Sequence, residues 1–143
     1  MKVGFGALIL EPREAMLSNH EVLAHVQDVK RRYREEINEQ GPAAAMKPGN
    51  LETVMKELVD YLSSTVAGSQ SPTTISNLVE ALVKYQFEKI EVLMVLNHLP
   101  KNETELDVLV EELESRLSDE EITQVLDTIR STHASRIETE TAE

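Results

Sequence analysis

Along most of this chain apolar residues recur at steps of three and four, the period of a helix with one dry face. The first such stripe is Val22, Val26, Val29, Tyr33 and Ile37. Ser18 and Glu21 stand before it at the spacing of a capping box, in which each side chain accepts from the other's free backbone N–H. A helix is therefore predicted to begin there, with Lys30, Arg31, Arg32 and Arg34 on its opposite face. Gly41 to Asn50 interrupts the stripe with Pro42, Pro48, Gly49 and three consecutive Ala, and reads as a flexible linker over 41–50.

Beyond the linker the helical period resumes. Asn50 is the expected cap of a helix with Leu51, Val54, Met55, Leu58, Tyr61 and Leu62 on one face. Gly68 to Ser71 closes the next loop. Pro72, at a first-turn position where its missing N–H costs nothing, opens a helix that faces Ile75, Leu78, Val79 and Leu82 inward. A further helix over about Phe87 to Asn97 presents Ile90, Leu93, Met94 and Leu96 and ends before Pro100. Asn102 with Glu105 and Ser118 with Glu121 repeat the capping-box spacing. The first opens a run burying Leu106, Leu109, Val110 and Leu113, and the second a run burying Ile122, Val125, Leu126 and Ile129. The pattern stops at Ser131, and 131–143 is expected to be a disordered acidic tail.

One segment departs from this period. Val3, Phe5, Ala7 and Ile9 alternate at a step of two, which suits either a short strand added to a partner's sheet or a loose terminus. A single Lys2 precedes this run and no small-residue cleavage pattern follows, so a signal peptide is not expected. No apolar run approaches the length of a bilayer crossing, and no membrane partner is expected.

Composition sharpens the fold class. With 143 residues, 41% hydrophobic and only 3% aromatic, the core must be built from Leu, Ile, Val and Met. Five Gly and five Pro supply too few turns for a many-stranded fold, so the class is all-α. The formal net charge of -12 argues against a chain that grips a phosphate backbone alone, and favours basic partners. Between Lys101 and Arg130 ten acids stand against three bases, so much of the excess lies there. The absence of Cys removes disulfides, thiol catalysis and Cys-ligated zinc.

Candidate chemistry is sparse. His20, His25, His98 and His133 are scattered, and His20 and His25 are five apart, where two metal ligands on one helix face need four. Asp107 and Glu111 stack one turn apart, but the same carboxylates read more simply as a solvated face opposite the Leu stripe. Leu117 to Ile122 looks like the entry to a calcium-sensor helix, yet no window supplies alternating oxygen ligands, a Gly at the sixth position and a Glu at the twelfth. Gly4 and Gly6 lack the third Gly of a phosphate loop. The cluster Lys30 to Arg34 is flanked by Asp28, Glu35 and Glu36 and reads as a solvated helix end before it reads as a phosphate site. No cofactor, metal or catalytic residue is assigned.

Two stretches taken together resemble a known family. Leu17-Ser18-Asn19-His20-Glu21-Val22-Leu23 resembles the leading segment, LS(N/D)YEV, of the RNA polymerase III stalk subunit called subunit nine in animals and the seventeen-kilodalton subunit in fungi. Leu96-Asn97-His98-Leu99-Pro100, Val110-Glu111-Glu112 and Leu117-Ser118-Asp119-Glu120-Glu121-Ile122 resemble its C-terminal pattern, in the same order and spacing. The chain departs at His20, where the family usually has Tyr, and in the longer Gly4 to Ala15 segment. The resemblance covers roughly Leu17 to Ser131.

It implies a bundle over 72–130 like the helicase-and-RNase-D C-terminal domain, preceded over 1–65 by an arm and helices that dock on a partner. The implied partner is the stalk subunit bearing an S1/OB fold, attached to the polymerase core subunits in the nucleus. The implied role is non-catalytic support of initiation at 5S rRNA and tRNA genes through a TFIIIB-type initiation factor, with nucleic acid contacted mainly by the partner. Leu17, Val22, Leu23, Val26, Leu96, Asn97 and Leu99 become candidate partner-binding residues. Leu96 also continues the stripe of Ile90 and Leu93, and so is expected to pack. Glu111, Glu112 and Glu114 become a candidate acidic surface facing the factor. The stalk subunit of RNA polymerase II and an unrelated acidic helical adaptor are the competing readings.

Overall fold

The computed structural model of the chain describes residues 14–41 and 49–140, with side chains up to His133. The alternating segment Val3 to Ile9, most of the linker and the last three residues of the tail lie outside the described residues. Among the described residues there are helices and turns and no strand, as the all-α expectation requires. In chain order they are α1 (Asn19–Gln40), α2 (Gly49–Ser63), α3 (Pro72–Leu82), α4 (Lys89–His98), α5 (Glu103–Leu109), α6 (Leu113–Arg116) and α7 (Asp119–Glu140). Single 3-10 turns at Val66–Ser69 and Val83–Tyr85 follow α2 and α3.

The helix starts are chemical. At α1 the Ser18 N–H donates to Glu21 Oε2 at 2.7 Å and the Glu21 N–H to Ser18 Oγ at 3.2 Å, the reciprocal box the spacing predicts. Ser118 and Glu121 repeat it before α7, at 2.9 and 3.3 Å. Pro72 takes the first turn of α3, behind a Ser71 cap. At α5 the box is altered: Asn102 caps the Glu105 N–H at 2.9 Å, but the Glu105 carboxylate reaches past it to the Lys101 N–H at 2.8 Å. α2 begins at Gly49, so Asn50 lies within the first turn rather than before it.

The core belongs to the second half. Leu82, Val95, Leu106, Leu113 and Val125, contributed by α3 to α7, are fully shielded and pack with Leu78, Leu96, Ile122 and Ile129. α1 and α2 form a separate pair. The α1 N-terminus and the α2 C-terminus both meet the Val66–Ser69 turn, so the two helices run antiparallel, with Leu23, Met55 and Leu62 buried.

Four expectations change. In α4 the shielded positions are Glu91, Val95 and Leu96, while Ile90 is 48% exposed, because an ion pair described below draws Glu91 inward. Val54 and Tyr61, expected on the buried face of α2, are 55% and 66% exposed, because α1 covers only one edge of the apolar arc. The run expected to be continuous from Leu106 to Leu113 breaks into α5 and α6. Val110 is extended there and Glu112 left-handed at φ 52°, and the freed carbonyls of Glu111 and Glu112 accept from Arg116 and the Ser115 hydroxyl at 3.1 and 2.9 Å. Finally, the backbone stays helical from Ser131 to Glu140. A helix already nucleated propagates easily, and Thr132 Oγ1–H donates to the Thr128 carbonyl at 2.8 Å while His133 Nε2 lies 3.1 Å from Ser69 Oγ.

Candidate partner interface

The two motifs far apart in sequence meet at one junction. The Asn19 N–H, an otherwise free donor of α1's first turn, donates to Asn97 Oδ1 at the end of α4, at 2.9 Å. One residue on, His20 Nδ1 lies 3.0 Å from the Ala67 carbonyl, and the Gln70 side chain donates to the Leu96 carbonyl at 2.7 Å. The turn that receives His20 is tight. A Cβ on Gly68 would stand 2.2 Å from the Ser63 carbonyl oxygen, so only glycine fits without a backbone shift. Ser18 is buried at the same place. These bonds fix where α1 leaves the bundle.

The candidate partner-binding residues divide. Leu23, Leu96 and Leu99 are 5%, 6% and 8% exposed, so they serve the chain's own packing and offer little surface to another protein. Leu99 also ends α4 in a left-handed conformation, φ 45°. Asn97 is half-buried and occupied by α1. Leu17 is exposed, and Val22 and Val26 are half-buried, as are Val29, Tyr33 and Ile37, the rest of the α1 stripe. With Val54 and Tyr61 on α2, these form an apolar surface that the chain itself covers only in part.

The charged candidates also separate. Glu111, Glu112 and Glu114 are all exposed around the α5–α6 break. Within the basic cluster, Arg31 pairs with Asp28 and, at 2.8 Å, with Glu35, while Arg32 reaches Asp28 at 3.0 Å. The hydrogen bond from Arg31, with Arg32 nearby, holds the Asp28 carboxyl below its ordinary range. Two of the four cations are thus occupied along their own helix. Among the described residues no group of His, Asp or Glu could hold a metal ion.

A profile of known proteins described as RNA polymerase Rpb4 matches residues 16–133, which spans the junction, the α1–α2 pair and the bundle. The chain belongs to the RNA polymerase Rpb4 family. The Schizosaccharomyces pombe protein named DNA-directed RNA polymerase III subunit rpc9 is 30% identical over 127 residues, covering 87% of this chain and 97% of that one. The match to the Rpb4 family includes Met16 and Leu17, so the exposed approach to α1 is part of the shared region.

One feature of this Rpb4-family chain escaped the sequence reading altogether. Arg116 on α6 donates to both oxygens of Glu91 on α4, at 2.6 and 3.0 Å, and also to the carbonyls of Glu111 and Gln86 at 3.1 and 3.4 Å. Glu91 is buried, and the Arg116 hydrogen bond holds its carboxyl below the ordinary glutamate range against the opposing effect of burial. The guanidinium also sits 6.0 Å from the Phe87 ring centre. The only trace in the sequence is an acid set within the apolar run Ile90-Glu91-Val92-Leu93.

Proposed function

We propose that this chain is a non-catalytic stalk subunit of nuclear DNA-directed RNA polymerase III, and that it pairs with the subunit bearing an S1/OB fold. The observation that carries the reading is the 30% identity to an RNA polymerase III subunit across 97% of that protein's length. The geometry supports it independently of identity. A bundle that shields its own core supports an α1–α2 pair whose apolar arc is half covered, which is how a subunit built to be completed by another protein is organised. Leu17, Val22, Val26, Val54 and Tyr61 would form the seam. Glu111, Glu112 and Glu114 lie on the bundle and would remain free to steer a basic initiation factor of the TFIIIB type.

Affinity purification of the tagged full chain from its native cells, followed by mass spectrometry, tests the assignment. Subunits specific to RNA polymerase III should co-purify in stoichiometric amounts. Recovery of subunits specific to RNA polymerase II, or of no polymerase, would contradict it. Reversing Glu111, Glu112 and Glu114 to Lys should weaken factor recruitment in a pull-down while leaving the heterodimer intact.

A further inference from the structure

The ten residues lining one groove of this acidic protein include no carboxylate, although the chain has 26 Asp and Glu. The groove lies between the Val66–Ser69 turn, the residues just after α4, and α7, and encloses about 550 Å³, a size usual for binding sites. Its walls are apolar, with Val66, Leu126 and Ile129 among them, and its rim carries Lys101, Arg130 and the His133 imidazole. The placement of cations is selective. Of the three bases between Lys101 and Arg130, Arg116 is held by Glu91, and the other two both line this groove. Lys101 is exposed and has no ion pair among the described residues. Among the described residues Arg130 pairs only with Asp127, at 2.8 Å with both side chains more than 60% exposed, so an incoming carboxylate can replace Asp127 at little cost. The back wall is fixed by the contact between Ser69 Oγ and His133 Nε2 at 3.1 Å, which ties the turn to α7.

We infer that this groove docks an acidic linear segment of another polypeptide, with one bulky apolar side chain against Val66, Leu126 and Ile129 and flanking carboxylates on Lys101 and Arg130. Charge complementarity selects the occupant, since in a chain of net charge -12 the residues lining this hollow include two cations and no carboxylate. A single-stranded nucleic acid is disfavoured because such sites stack successive bases on several aromatic rings, and no Phe, Tyr or Trp lines the groove, His133 being its one aromatic ring. None of Leu17, Val22, Val26, Val54 and Tyr61 of the α1–α2 arc lines the site, and the inference does not depend on which polymerase contains the chain.

The test is selection of a random twelve-residue phage-displayed peptide library on the purified full-length chain. Enriched peptides should carry Asp or Glu on both sides of a Phe, Leu or Trp. Synthetic copies should shift the amide signals of residues 65–69, of Leu99 and Lys101, and of residues 126–133. They should bind the Lys101→Glu, Arg130→Glu double variant roughly tenfold or more weakly, with an unchanged melting curve, because both side chains are exposed. Four results would overturn the inference: no enrichment, enrichment of basic peptides, equal binding to the double variant, or a uridine-rich single-stranded RNA displacing the peptides from the same residues.

Discussion

Leu82, Val95, Leu106, Leu113 and Val125 are sealed from solvent in the bundle, whereas α1, over 22 residues, seals only Leu23. Both regions are written in the same pattern of aliphatic residues at steps of three and four. The difference lies in what surrounds each helix. Within the bundle α7 meets both α3 and α5, and α4 meets α3 and α5, so each stripe is covered from more than one side. Among the described residues α1 packs on α2 and the Val66–Ser69 turn and reaches α4 through the Asn19–Asn97 bond at its first turn, and its five-residue stripe stays half-buried throughout. A helix pattern alone therefore does not say whether its dry face will be closed by the same chain; the number of neighbours does.

The comparison breaks most severely at the bundle's centre. Leu106→Ala should leave a cavity and cost about 2–5 kcal/mol, a drop in melting temperature on the order of 10–20 °C for a domain of this size. The matching change in the other region, Met55→Ala, should loosen α1 and α2 in hydrogen exchange while the bundle's slowest amides keep their protection.

The next effect is electrostatic. Glu91→Gln keeps the side chain's shape but removes its charge, and should cost on the order of 2 kcal/mol, the scale of a hydrogen bond between charged groups. Its pH dependence has a definite sign. Because the folded carboxyl titrates below its unfolded value, its stabilisation is fully present above the ordinary glutamate pKa of about 4.3 and is lost as the pH falls through the lower folded value. Melts of both proteins should differ most above that pH and converge in more acidic solution. A constant difference down to strong acid would remove Glu91 from this role.

Asn97→Ala tests the joint between the regions. Losing the bond to the Asn19 N–H should cost about 1 kcal/mol, appearing as faster exchange of the α1 first-turn amides with little change at Val95 or Leu96. The smallest effect on stability belongs to the uncovered arc. Val54→Ser together with Tyr61→Ser should change the melting of the isolated chain by no more than about 0.5 kcal/mol, yet weaken binding to the S1/OB-fold subunit roughly tenfold or more if these side chains anchor the seam.

The legible part of the fold was local. Ser18–Glu21 and Ser118–Glu121 mark helix starts through bonds made within three residues, which are written directly in the spacing, and Pro72 marks another through its missing N–H. The all-α class and the core positions Leu78, Leu82, Leu106, Val110, Ile122 and Val125 followed from period. Hidden were the features that depend on two distant segments. Nothing near Asn97 indicates Asn19, and nothing near Glu91 indicates Arg116, 25 residues away. The break at Val110 to Glu112 was invisible because Leu106, Val110, Leu113 and Leu117 would share one face of an unbroken helix equally well. For the candidate interface, period identified which side chains are apolar. It could not separate Leu23, Leu96 and Leu99, consumed by the chain's own packing, from Leu17, Val22 and Val26, which retain exposed surface.

Residue-resolved hydrogen exchange of the full chain, alone and then with the proposed S1/OB-fold partner, tests the division between the two regions most directly. Leu82, Val95, Leu106 and Val125 should be equally protected in both states. Val29, Tyr33 and Leu58 should exchange readily in the free chain and slow markedly on pairing. Full protection of α1 and α2 in the free chain, or new protection confined to the bundle, would contradict the account.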